Sequence, residues 1–96
     1  MKLRYTQRAV HEIDEISRYF LELNPRAGEE FFAALELLLG HLTIMPALGR
    51  STSVANVRVL VVPRYPYRIF YLAEADTISI LSIFHTARDP GTAPAG

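Results

Sequence analysis

Arg50, Arg58, Arg64 and Arg68 stand in a stretch with no acidic side chain between Arg50 and Ala73, and Arg88 follows near the end of the chain. Nine of the ten basic residues are arginine, whose planar guanidinium meets a carboxylate or phosphate two oxygens at a time. These five are candidates for contact with an anionic target. The plainer reading is that arginines on the wet face of a sheet keep it soluble and blunt its edges. His85 carries an imidazole that could move a proton, though a histidine closing a strand serves equally well by bonding a loop carbonyl. Tyr65, Tyr67 and Tyr71 could stack on bases, but aromatic residues are common in strands because they pack well there. Arg88-Asp89-Pro90 also reads as a salt-bridged strand end of little energetic weight. His11 and His41 have no companion at metal-ligating spacing, and Glu12 and Glu15 beside His11 read as a solvated face. No metal and no cofactor are expected. The chain has no cysteine, so a thiol nucleophile, a thiolate metal site and a disulfide framework are ruled out.

Whatever these side chains do, one domain must position them. At 96 residues, half of them hydrophobic, the chain suffices for one core and is too short for two. No apolar run approaches the roughly 18 residues that a membrane span needs, and the opening residues lack the apolar core of an export signal. A cytoplasmic protein with no membrane association is expected. Formal net charge is zero, yet the signs are segregated: Glu12, Asp14, Glu15, Glu22, Glu29, Glu30 and Glu36 make an acidic first half, and the arginines dominate the second.

The hydrophobic periodicity supplies the elements. Residues 3–5 read as a short strand, and Thr6 can cap a helix by accepting from the free amides of its first turn. Ala9, Ile13, Ile16, Phe20 and Leu23 recur at helical spacing and predict a helix over 7–23. Asn24-Pro25 ends it and can start the next, Asn24 as cap and Pro25 in the first turn, which makes an antiparallel helical hairpin. Phe31, Leu35, Leu38, Leu42 and Met45, widened by Phe32 and Leu39, predict a core helix over about 26–44. Residues 46–53 form a loop containing Gly49-Arg50. Residues 57–62, 65–72 and 78–85 then read as three strands of an antiparallel meander, the first two joined at Pro63-Arg64. Strand parity would put Arg58 and Arg68 on one face together with Leu60, Val62, Phe70 and Leu72. The fold expected is α+β, in the order β-α-α-β-β-β, with a helical hairpin on a mainly antiparallel sheet. Residues 1–90 form the domain and 91–96 a disordered tail; the position of the first strand in the sheet is open.

That order, with Val59-Leu60-Val61-Val62-Pro63-Arg64-Tyr65-Pro66-Tyr67-Arg68-Ile69-Phe70-Tyr71 and Ile83-Phe84-His85-Thr86-Ala87-Arg88-Asp89-Pro90, resembles the RelE/ParE toxin superfamily over residues 2–90. The resemblance implies the toxin of a type II toxin-antitoxin pair, serving plasmid stabilisation or stress response. A cognate antitoxin would hold it inactive in a hetero-oligomer, its C-terminal segment wrapped across the hairpin and the sheet. Phe20, Phe31, Leu35, Leu60 and Phe70 are the candidate antitoxin contacts. RelE-like members cleave messenger RNA on the ribosome, which would employ Arg58, Arg64, Arg68, His85 and Arg88 as phosphate-binding, proton-moving and charge-stabilising groups. Those nucleases carry a lysine-rich strand face and a tyrosine near the C-terminus; here the only lysine is Lys2 and no tyrosine follows Tyr71. A neutral chain is also poorly matched to a polyanionic substrate. ParE-like members inhibit DNA gyrase by binding it, which fits these residues better and makes Arg50, Arg58, Arg64, Arg68 and Arg88 target-binding candidates. A non-toxic module that keeps only the antitoxin contact is the remaining alternative.

Overall fold

The computed structural model describes residues 1–86; Arg88, Asp89 and the 91–96 tail lie outside the described residues. The chain runs β1 (Lys2–Tyr5), α1 (Gln7–Leu23), α2 (Pro25–Ile44), β2 (Arg50–Ser51), β3 (Val57–Val61), β4 (Tyr67–Glu74) and β5 (Thr77–His85). This is the expected order with one addition, the two-residue β2, which pairs antiparallel with β3.

The helix boundaries follow from their caps. The Thr6 hydroxyl accepts from the Ala9 amide at 3.1 Å and donates to the Leu81 carbonyl at 3.0 Å, so the side chain that starts α1 also fastens it to β5. Asn24 serves both helices. Its amide donates to the Phe20 carbonyl at 2.8 Å and closes α1, and its side-chain oxygen accepts from the Ala27 amide at 3.1 Å and opens α2. With so short a connection the helices cross tightly, and at Gly28 a Cβ would lie 2.7 Å from Phe20 Cβ.

The sheet has the order β1-β5-β4-β3-β2. β1 runs parallel to β5, with Leu3 opposite Ile78 and Tyr5 opposite Ile80, and the remaining pairs are antiparallel. Phe31 is the hub of the layer between helices and sheet: its ring meets those of Phe20, Phe32, Tyr65 and Tyr67 at centroid distances of 5.4, 5.1, 5.1 and 4.9 Å. Ala9 and Ile16 of α1, Leu35, Leu38 and Leu42 of α2, and Ile69, Tyr71, Ile78, Ile80 and Ile83 of the sheet complete this core. The opposite face is apolar too, with Val57, Val59, Phe70 and Phe84 buried and Leu72 and Leu81 packed against them.

Three expectations are corrected. Arg58 and Arg68 do not share a face. Arg58 is opposite Tyr71 on the helix side, whereas Arg68 is opposite Val61 on the other, because an odd-numbered residue of β3 pairs with an even-numbered one of β4. Leu60 and Val62 therefore join the helix-side core, and Phe70 and Leu72 the other cluster. β4 starts at Tyr67 rather than at residue 65, since Pro66 has no amide to give the ladder. Glu12 does not belong to a solvated face. Leu81 is left over where the β4–β5 register shifts, and Glu12 Oε1 accepts from the Ser82 hydroxyl at 2.8 Å and the Ile83 amide at 3.1 Å. The bulge thus turns a ladder amide toward α1, where a carboxylate satisfies it.

Two glycine substitutions on α2 should have opposite signs. Gly28→Ala presses on Phe20 and should destabilise by about 1–3 kcal/mol. Gly40→Ala, whose Cβ meets nothing within 4 Å, should stabilise α2 by about 0.5–1 kcal/mol. Urea denaturation midpoints of the two variants check the pair.

Candidate functional site

The Gly49-Arg50 loop is fixed by one buried hydroxyl. Tyr71 Oη accepts from the Gly49 amide at 2.8 Å and donates to the Pro46 carbonyl at 2.8 Å, and Arg58 Nη1 donates to the Gly49 carbonyl at 2.7 Å. A Cβ on Gly49 would stand 2.7 Å from the Val59 carbonyl oxygen and 2.9 Å from Tyr71 Oη, so only glycine lets the loop approach this closely. Burial raises the Tyr71 phenol pKa, partly offset by the Gly49 bond and the Arg58 charge. Gly49, Arg58 and Tyr71 are thus engaged in placing a loop, and the loop delivers Arg50 to the β2 edge, exposed and opposite Val59.

The other arginines are dispersed. Arg64 is exposed at the β3–β4 turn with φ 70°. Arg68 lies half-buried between Val61 and Phe84, its Nε shielded and without a hydrogen-bond partner. Beside it Phe70 and Phe84 stack at 5.8 Å with planes 6° apart. His85 closes β5, where its ring meets Tyr67 edge-on at 5.2 Å. Arg8, Arg18 and Arg26 reach Glu12, Asp14 and Glu30, whereas among the described residues no carboxylate pairs with Arg50, Arg58, Arg64 or Arg68. Among the same residues no group of three His, Cys, Asp or Glu could hold a metal ion, and no helix is long and apolar enough to cross a membrane.

The candidate partner contacts fare unequally. Phe31 is fully buried and Leu35 5% exposed, so both act as core. Phe70 is buried on the face away from the helices, and Phe20 and Leu60 are half-buried at the core margin. What sequence reasoning missed is an open apolar groove of about 650 Å³. Its walls are Leu3 and Tyr5 from β1, Val10 and Ile13 from α1, and Phe32, Leu35, Glu36, Leu39 and Gly40 from α2. The legible signal was Val10, an apolar residue beside the buried stripe of α1 and 55% exposed. Burial and the Glu36 carboxylate raise the Tyr5 phenol pKa. Along the groove runs β1, whose far edge pairs with no strand among the described residues.

Residues 3–90 match the family model described as the ParE toxin of the type II toxin-antitoxin system parDE. A curated Sinorhizobium fredii (strain NBRC 101917 / NGR234) protein, named Putative toxin Y4kP, is 32% identical over 84 residues, covering 88% of this chain and 86% of that protein. The fold is shared with a chain of the chromosomal ParDE system from P. aeruginosa, at a TM-score of 0.74 and 24% identity, over 88% of this chain and 95% of that one. It is shared as well with the isolated E. coli RelE toxin, at a TM-score of 0.66 and 15% identity over 94% and 88% of the two chains. A chain of the intact E. coli RelBE toxin-antitoxin complex matches at 0.66 and 15% over 91% and 98%.

Tyr71→Phe strands the buried Gly49 amide and should cost about 1–3 kcal/mol. It should also change the alkaline behaviour. A phenol whose pKa is raised in the fold contributes stability that is complete below the unfolded value, about 10, and lost as pH rises through the folded one. Unfolding free energies measured from pH 8 upward should therefore fall in the parent and fall less steeply in Tyr71→Phe, with Tyr5 still contributing.

Proposed function

The chain belongs to the ParE toxin family of type II toxin-antitoxin systems, and on that basis we propose that it acts by binding DNA gyrase, without catalysis, once released from a cognate antitoxin. The observation that carries binding over RNA cleavage is the separation of the arginines. Arg58 faces the helices and is committed to the Gly49 carbonyl, Arg68 faces the opposite side, Arg64 occupies a turn and Arg50 an edge. Cleavage through a 2′-hydroxyl needs a base, an acid and cations within hydrogen-bond reach of one phosphate. A docking surface needs complementary chemistry spread over an area, and arginines without carboxylate partners among the described residues supply it. Arg68 is suited to such a contact because it lies half-buried on the apolar sheet face away from the helices, without a carboxylate partner among the described residues.

The antitoxin, in this reading, occupies the groove between α1, α2 and β1. An apolar trough beside an open strand edge suits two recurring modes of peptide capture, a helix laid in a groove and a strand added to a sheet. A role in plasmid stabilisation or stress response, and residence in the cytoplasm, accompany this reading.

Two measurements test it. Induction of the chain alone should lower gyrase supercoiling and leave translated messenger uncut; intact supercoiling with messenger cut on the ribosome establishes the nuclease reading instead, and normal growth with both intact leaves the non-toxic module. Val10→Glu, on an exposed groove position, should weaken the antitoxin complex by roughly tenfold or more without changing the melting temperature, as titration calorimetry and thermal scans would show.

A further inference from the structure

The groove accounts for one side of α2. On another side, Ala34, Leu37 and His41 face the β3–β4 turn, where Pro63, Arg64 and Tyr65 complete a separate depression of about 310 Å³. Leu37 is 65% exposed, and Ile44, three residues beyond His41, is 79% exposed, so an apolar ridge continues along α2 at helical spacing. A large apolar side chain left in water beside a concave surface marks a contact site more often than a lone surface leucine does.

The rims of the two depressions differ in sign. The α1–α2–β1 groove carries Glu36 and no basic side chain, whereas the second carries Arg64 and His41 and no carboxylate. A single segment of uniform charge therefore cannot suit both. Arg64 has a further peculiarity: its φ of 70° is one that glycine adopts without steric cost and arginine does not. Ala75 at 52° shows that the angle alone is no mark of function. At Arg64, however, it coincides with an exposed cation beside an apolar ridge, with no ion pair among the described residues.

We propose that the α2 ridge around Leu37 and His41, together with Arg64, docks an acidic and apolar segment of the toxin's protein target, while the antitoxin holds the groove on the other side of the helix. This rests on the reading of the chain as a target-binding toxin. It extends target recognition from the sheet arginines onto the exposed face of α2 beside Arg64.

The test uses the full chain, separated from its antitoxin, with whole DNA gyrase as the probe. Leu37→Glu should weaken gyrase binding by roughly tenfold or more. Arg64→Gly should weaken it to a smaller extent and melt no lower than the parent, which separates loss of contact from loss of fold. Both variants should bind the antitoxin as the parent does, and Val10→Glu should show the reverse pattern. If the parent binds gyrase and both variants bind it equally well, the inference fails alone. Loss of antitoxin binding in the two variants, or a parent dimer that Leu37→Glu dissociates, also overturns it by giving the ridge another occupant. Failure of the parent to bind gyrase overturns the gyrase reading and this inference together.

Discussion

Register decides what each side chain of this sheet can do. A strand shows alternate residues to opposite faces, and a slip of one residue in pairing exchanges them all. The pairing of Leu60 with Ile69 sends Arg58 and Tyr71 toward the helices and Arg68, Phe70 and Val59 away from them. The connection between β3 and β4 sets that pairing. Pro66 cannot donate to the ladder, so the turn extends to Tyr67, and the bond from the Val62 amide to the Tyr67 carbonyl closes it at 2.9 Å. On β5, the extra residue Leu81 shifts the pairing again, and Glu12 caps the resulting bulge. Each face consequently has its own apolar cluster, and the cationic side chains are divided between them.

This division separates structural from available arginines. Arg58 and the Tyr71 hydroxyl hold the Gly49 segment from below, so part of the motif that suggests function is used in building the loop. Arg50, Arg64 and Arg68 remain for contact, each in a different setting: an edge strand, a turn and an apolar sheet face. Surfaces of this kind recognise by area and charge, as the proposed inhibition by binding requires. Acidic side chains are concentrated in the helical half, where Arg8, Arg18 and Arg26 lie within reach of some of them, and the two halves thus present different electrostatic character to a partner.

Much of the architecture was legible because it is local. Thr6 and Asn24-Pro25 mark helix boundaries through cap chemistry contained within a few residues, and the 3.6-residue stripe from Ala9 to Leu23 needs no partner to be recognised. The strands announced themselves by β-branched and aromatic alternation. What escaped depends on distance along the chain. Parity within β3 and β4 was readable, but which parities coincide depends on the turn and on Pro66. The parallel placement of β1 beside β5 joins segments some 75 positions apart in register terms, Lys2 with Thr77, and no local pattern encodes it. Glu12 reads as one more surface acid until the bulge at Leu81 is known. The groove was hidden for the same reason, since β1, α1 and α2 each contribute walls that look ordinary alone.

Stoichiometry distinguishes a binder from a catalyst most directly. Purified chain should be titrated into a gyrase supercoiling reaction of known enzyme concentration, and antitoxin then added. Inhibition by binding predicts that supercoiling stops as the chain approaches the amount of gyrase and recovers when antitoxin withdraws it. Gyrase untouched by an excess of chain, with messenger cut on translating ribosomes by a small fraction of an equivalent, would contradict it.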